Sequence, residues 1–363
     1  MAALALPCAS CRNDASPVQG YAYVSNGKSD SVSVIDLGSF RVVRTLGVGR
    51  NPSGVSVNPL RDEVYVVNTE SNNISVIDTR RQTVVATIGV HRAPYHLDVS
   101  ADGKRGYVAN SGSGNVSVLD LERRQVVANI RVGAASGLAR VSPDGHTVVV
   151  SNRGDDSVSL IDASSLRVRA TLPVCKQPED IAIPPDSSKA FVACTGSAQV
   201  ATVDLKADQV LALLDVGKTP IHLALKPDGG ELFVSNFDSG NVSVIETTAN
   251  EVAGSYLIGT NPVRGLVSPD NAFLYESNFG SDSVSVFSTD TGRMLGSIPV
   301  GRRPESLALT ANGDYLLVVN TGSGDVAVVG TARLPELLGS RRNPPGMRMI
   351  PVGLQPNGIA VKQ

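Results

Sequence analysis

Along most of the chain, short runs of β-branched and aliphatic residues alternate with small polar ones, and turn-forming clusters separate the runs. Residues 53–57, 64–67, 74–77 and 84–88 illustrate the unit: four strands, A to D, divided by turns such as Asn58-Pro59 and Glu70-Ser71-Asn72-Asn73. No window carries a comparable helical period, apart from the neighbourhood of Leu334 to Leu338. Strand B is the clearest marker. Its tetrapeptide Tyr23-Val24-Ser25-Asn26 returns as Tyr65-Val66-Val67-Asn68, Tyr107-Val108-Ala109-Asn110, Val149-Val150-Ser151-Asn152, Phe191-Val192-Ala193-Cys194, Phe233-Val234-Ser235-Asn236, Tyr275-Glu276-Ser277-Asn278 and Leu317-Val318-Val319-Asn320. Each copy follows the last by 42 residues, so eight units run without slippage.

Repeated four-stranded meanders of this length predict an all-β fold, an eight-bladed β-propeller of four-stranded antiparallel blades. The chain opens on a B strand and ends on an A-type segment, Pro356-Asn357-Gly358-Ile359-Ala360-Val361, the counterpart of Pro52 to Val57. Pairing the two closes the ring and leaves no free sheet edge. Seven blades, the alternative, leaves one unit without a place. The acids that end strand C (Asp36, Asp78, Asp120, Asp162, Asp204, Glu246) and the Asn residues that end strand B are expected to cap turns.

Length alone, 363 residues, suggests two or three domains. The repeat replaces that with one propeller over 18–363, preceded by a leader over 1–17. The eighth unit is interrupted: the Val-Gly pair expected 42 residues after Val300-Gly301 arrives ten residues late, at Val352-Gly353. The insertion lies within 331–348, between strands C and D, and carries Arg333, Arg341, Arg342, Arg348 and the turn Asn343-Pro344-Pro345-Gly346. A net charge of −2 argues against a nucleic-acid protein acting through bulk positive charge, and no run approaches the roughly 18 apolar residues of a membrane span.

In a propeller the D-to-A and B-to-C loops gather at one channel mouth, where functional residues are sought. Two positions before the A-strand Pro, five of eight residues are basic: Arg50, Arg92, Lys176, Lys218 and Arg302. Two positions after it stand Gly54, His96, Leu138, Asp180, His222, Arg264, Ser306 and Gly358, flanked by Tyr95, Glu179 and Glu305. A neutral His beside a carboxylate can bind a metal or act as a general base, and Arg can orient an anion. Two readings stay open. One is a site for a small anionic or cofactor-like ligand; the other is a set of side chains that hydrogen-bond loop backbone around a wet channel. A metal would want three or four ligands at one point, and His96 and His222 are three blades apart.

The four cysteines form two pairs. Cys175 and Cys194 replace the usual Gly and Asn of their columns near the top of blades four and five, either as a disulfide or as two reduced thiols. Cys8 and Cys11 lie in the leader with no second pair to complete a zinc site, and Arg12 stands where a haem attachment motif needs His. The apolar 2–7 segment followed by small residues and Cys is similar to the tail of a bacterial lipoprotein signal, which would make Cys8 or Cys11 a lipidation site, although the apolar run is short and no basic segment precedes it.

The units Tyr-Val-Ser-Asn, then Ser-Val-Ser-Val-Ile-Asp at 31–36, then Val-Gly-x-x-Pro at 48–52 resemble the YVTN-repeat β-propeller family along nearly the whole chain. That resemblance implies an extracytoplasmic, periplasmic or cell-surface protein, without implying a reaction. The eight-blade count is also similar to the haem-binding propeller of cytochrome nitrite reductase and to the related propeller of its haem biosynthesis, which directs attention to His96 and His222. Three functions follow as expectations: a non-enzymatic binding or scaffold propeller presenting its top face to a small anion or protein partner; a cofactor-handling propeller for a haem-like tetrapyrrole or a metal; and a lactonase-like hydrolase using Asp180, Glu179 and His222.

Overall fold

The computed structural model describes residues 18–332, 334, 338 and 347–363. Cys8, Cys11 and most of the insertion, including Arg333, Arg341, Arg342 and the turn at 343–346, lie outside the described residues. The rest forms eight four-stranded antiparallel sheets. In blade 2 the strands are Pro52–Val57 (A), Glu63–Asn68 (B), Asn73–Asp78 (C) and Thr83–Gly89 (D). They overrun the apolar pattern because the polar residues that start and end each turn still pair in the ladder. The A strands of neighbouring blades lie against one another and line the channel.

The ring closes as the two chain ends require. Strand B of blade 1 (Tyr21–Asn26) pairs antiparallel with the C-terminal A strand (Pro356–Lys362), from Tyr21 with Lys362 to Ser25 with Gly358. Alternate residues of strands B and C point to opposite faces, and both faces are buried. Thus Tyr65, Val67, Ile74 and Val76 of blade 2 pack on Leu97, Val108 and Leu119 of blade 3, while Val64, Val66 and Ile77 pack on Tyr23, Val32 and Val34 of blade 1. The interrupted eighth blade has a four-residue D strand, Arg348–Pro351, and Leu334 and Leu338 pack against the core between blades 7 and 8.

The recurrent polar residues hold turns. Asn68 Nδ2 donates to Asn73 Oδ1 (2.8 Å) and Ser75 Oγ (2.9 Å), and the equivalent bonds recur at Asn26, Asn152, Asn236 and Asn278. The acids that close strand C accept backbone N–H groups of the C–D turn, as Asp78 does from Arg80 and Arg81 (both 2.9 Å). A Cβ at Gly49 would stand 2.7 Å from Asn68, so the Gly of the D-to-A loop and the Asn of strand B touch. Cys175 and Cys194 occupy this Gly and Asn pair in blade 5, and a disulfide joins them with Cα atoms 5.6 Å apart.

Every A strand carries a register shift just past its first residue, for instance between Pro94 and Leu97, Pro178 and Ile181, and Pro220 and His222. A bulge places an extra residue on one side of the ladder and re-aims side chains. It sits at the column two after the Pro and at the residue flanking it, which is how successive residues such as Tyr95 and His96 both reach the channel.

Candidate functional site

The mouth of the channel holds a cavity of about 350 Å³ bordered by Tyr95, His96, Glu179, His222, Arg264 and Glu305, with Ser53, Ser306 and Asn357 completing the wall. A second void of about 180 Å³ continues from it past Arg140 and Asp180. All seven candidates of the two inner columns therefore meet around one space. His96 and His222, three blades apart, both border this cavity because the A strands converge on the axis.

The basic column behaves differently. Arg50, Arg92, Lys176, Lys218 and Arg302 are exposed on the rim, and none borders the cavity. What is fixed at these positions is the backbone: their N–H groups donate to Ser71, Ser113, Ser197, Ser239 and Ser323 of the B–C turn alongside. The level before the Pro faces outward and the level after it faces the channel, so the two columns do not form one ionic ring.

The inner residues divide by what already engages them. The A strand is the inner edge of its blade, and its unpaired backbone groups need partners. Asp180 Oδ2 accepts from Leu223 N of blade 6 (3.0 Å), Asp98 Oδ2 from Val141 N of blade 4 (2.8 Å), and His222 Nδ1 from Gly265 N of blade 7 (3.3 Å). Because Nδ1 of His222 accepts, its proton sits on Nε2, which lies 3.8 Å from Asp180 Oδ2. Arg140 lies between two carboxylates, 3.0 Å from Asp98 and 3.7 Å from Asp180. Glu179 pairs with Arg153 (3.0 Å), and Glu305 Oε2 accepts from Thr321 Oγ1 (2.7 Å). Burial raises the pKa of both glutamates, opposed at Glu179 by Arg153 and at Glu305 by the Thr321 hydroxyl.

His96, Tyr95 and Arg264 are not engaged in this way. No hydrogen bond reaches either ring nitrogen of His96 among the described residues, and Arg264 is exposed to the cavity with no carboxylate in ion-pair range. Tyr95 is half exposed at 50%. Enclosure by the channel wall drives the His96 pKa down to about 4, with Arg140 and Arg264 adding to the effect, and His222 to about 3, with Arg264 adding again. Both imidazoles are therefore neutral at physiological pH, and only His96 has a lone pair available. Among the described residues no group of three or more His, Cys, Asp or Glu is arranged to hold a metal by itself.

Beside the cavity, and sharing Ile221, Val263 and Glu305 with it, runs an open groove of about 590 Å³. Phe237 and Phe279 wall it, the Arg303 guanidinium lies 5.6 Å from the Phe279 ring centre, and Leu354 is 67% exposed. Sequence reasoning missed this groove, and it missed Arg140, Asp98, Arg153 and Glu276. Signals existed in neighbouring columns. The position after the B-strand Asn is small or polar except for Arg153, Phe237 and Phe279, and the position four after the A-strand Pro is Ser, Ala or Leu except for Asp98 and Arg140.

Residues 58–186 match the family model of the cytochrome D1 heme domain, and residues 266–339 match that of the lactonase 7-bladed β-propeller. Each match spans less than half the chain, and the ring here has eight blades. The fold is similar to hydrazine synthase from Kuenenia stuttgartiensis, at 22% identity and TM-score 0.65 over 77% of this chain and 96% of that one. It is also similar to dihydro-heme d1 dehydrogenase NirN, solved in complex with DHE, at 16% identity and TM-score 0.77 over 96% of this chain and 76% of that one. At these identities the likeness concerns the fold. No curated protein matches the sequence. The resemblance to YVTN repeats rests on the motifs themselves.

Proposed function

We propose that the protein is an extracytoplasmic, haem-type propeller that binds a planar, carboxylate-bearing cofactor of the tetrapyrrole class at the top of its channel. The observation that carries this reading is the pairing, in one cavity, of a neutral imidazole, His96, and a guanidinium, Arg264, neither of which has a side-chain partner among the described residues. The residues fit such a group. His96 offers a lone pair to a metal centre, Arg264 a bidentate donor to a carboxylate, and the Phe237 and Phe279 groove an apolar wall for a flat ring. A haem-like group supplies redox chemistry when bound; the chain binds it, orients it and limits its contact with water. The match to a heme domain model and the fold shared with an enzyme solved with DHE support the same class.

His222 contributes differently from His96. Its Nδ1 accepts the Gly265 N–H and so holds the wall between blades 6 and 7, and with the proton on Nε2 the ring keeps no free lone pair. Asp180 and Glu179 are likewise engaged with backbone and with Arg153, which leaves the lactonase-like reading without a free carboxylate pair. The Cys175–Cys194 disulfide supports an oxidising compartment. The scaffold reading keeps one observation in its favour, the exposed basic rim, which suits an acidic protein partner.

Titrating the purified protein with haemin and following the Soret band tests the proposal. The band shifts on binding; His96→Ala removes the shift, Arg264→Ala weakens binding about tenfold through loss of a charge-assisted hydrogen bond, and His222→Ala changes the band position much less than His96→Ala. An unshifted Soret band in the wild type, or a shift that His96→Ala leaves intact, overturns it.

A further inference from the structure

Blade 7 breaks the packing between blades twice at one place. The second residue of the B tetrapeptide is valine in seven blades and Glu276 in this one. Its partner across the A–B ladder is aliphatic in those seven, as with Leu97 and Ala139, and here is Gly265. The two departures fit each other: a Cβ at 265 would stand 2.8 Å from Glu276 Oε2, so glycine leaves the room the carboxyl fills. Glu276 is fully buried, and neither oxygen has a hydrogen-bond partner among the described residues. An unpartnered buried carboxyl is costly, and the exchange of two apolar side chains for it returns nothing in packing.

The surroundings connect it to the channel. Glu276 lies on the side of strand B that faces blade 6, where its neighbour Leu274 packs on Ala224 and Phe233. Gly265, against which it rests, follows Arg264 and donates its N–H to His222. Ser235, the ladder partner of His222, brings its hydroxyl near without a hydrogen bond of normal geometry. The charged and titratable groups on the packed strands are Arg264 on its own blade and His222 on blade 6, with Asp180 beyond it. At the far end of blade 6, Lys226 and Glu231 pair with each other at 3.1 Å and Glu246 closes strand C (Asn241–Glu246) opposite Glu231, while strand C of blade 7 (Ser283–Ser288) has none. Burial pushes the Glu276 carboxyl up to about 8, with the Ser235 hydroxyl and Arg264 pulling the other way.

We propose that capture of an anion by Arg264 is linked to protonation of Glu276 behind it. A neutral Glu276 leaves the whole guanidinium charge to a carboxylate entering the cavity. An ionised one competes for that charge and repels the newcomer, and by reciprocity a bound anion makes Glu276 hold its proton more tightly. Well below or well above the carboxyl's titration, binding moves no net proton; between the midpoints of the free and the bound protein, binding draws a fraction of a proton from solvent onto Glu276. The proposal rests on Arg264 being the anion-binding group of the site and does not require the ligand to be a tetrapyrrole.

The test begins without ligand. Infrared difference spectra at pH 7 show a protonated-carboxyl C=O band that Glu276→Gln removes; the band titrates away on raising the pH, and Arg264→Gln moves its midpoint upward. Terephthalate, ionised throughout this range, then serves as the anion probe. It also raises the midpoint, its affinity falls about fivefold between pH 7 and pH 9, and Glu276→Gln abolishes that dependence. The variant Gly265→Ala/Glu276→Val, which restores the pattern of the other blades, secures the result if the single substitution does not fold. Absence of the band, a midpoint indifferent to Arg264→Gln, or terephthalate binding that is absent or independent of pH overturns the linkage. Haemin binding is read separately, so its failure is distinguishable from failure of the linkage.

Discussion

His96 and His222 occupy the same position of the repeat, yet a backbone N–H reaches Nδ1 of His222 and, among the described residues, no hydrogen bond reaches the ring of His96. What separates them is the next blade: Gly265 brings its amide to His222, whereas the blade after His96 presents Leu138 and Ala139 at the matching level. Residue type marked both as candidates, and only their contacts assign one to the wall and leave the other free. Glu276 shows the converse. It was visible in the tetrapeptide Tyr275-Glu276-Ser277-Asn278 as a break in a valine column, but nothing in the sequence says that this column faces a neighbouring blade near Arg264. Its burial has a stability consequence. An unfolded chain releases the Glu proton near pH 4.5 and the folded one near 8. The folded state therefore loses stability as pH rises across that window, by about 5 kcal/mol at full titration. Gly265→Ala/Glu276→Val is expected to remove this slope and to melt higher than the wild type at pH 8; equal melting temperatures at pH 5 and pH 8 in the wild type would contradict it.

At the scale of the element, the bulge near the start of each A strand does most to build the site, because it turns neighbouring residues toward one space. Alternation alone would send Tyr95 and His96 to opposite faces. The Gly and Asn contact between the D-to-A loop and strand B is equally regular, and it explains why a cysteine in both columns of one blade forms a bond. The sequence marked the columns; the contact between them is tertiary. Closing a loop across a separation of 19 residues is worth about 3 kcal/mol. Reductant is thus expected to lower the melting temperature of the wild type and leave Cys175→Gly/Cys194→Asn, which restores the repeat, unmoved. Thiol titration of unreduced, denatured protein is expected to find no more than two reactive groups among the four cysteines; finding four contradicts the disulfide.

For the whole molecule, stability depends on closure. Each blade buries both faces against its neighbours, so an open ring exposes two apolar faces and an unpaired strand edge at Tyr21–Asn26. Removing residues 356–363 is expected to abolish cooperative thermal unfolding and drive association. Circular dichroism melts and size-exclusion chromatography check this, and a monomer that still melts cooperatively contradicts it. Closure also gives the site its shape: A strands of blades 1, 2, 3, 5, 6, 7 and 8 all contribute to the upper cavity.

The fold was legible in the sequence because a propeller repeats one local solution. Period, strand alternation and the complementary chain ends at Tyr21 and Val361 specify blades, their number and their closure through interactions that recur every 42 residues. The site was legible only as a list of unusual columns. Whether Arg50 and Arg264 point outward or inward, whether Asp180 stitches two blades, and whether Glu276 lies within reach of Arg264's field depend on bulges and on contacts between side chains far apart in the chain. Local pattern determines which backbone forms, since hydrogen bonding and burial act along the strand. Convergence of eight strands on one axis decides which side chains share a cavity, and that is a property of the closed ring.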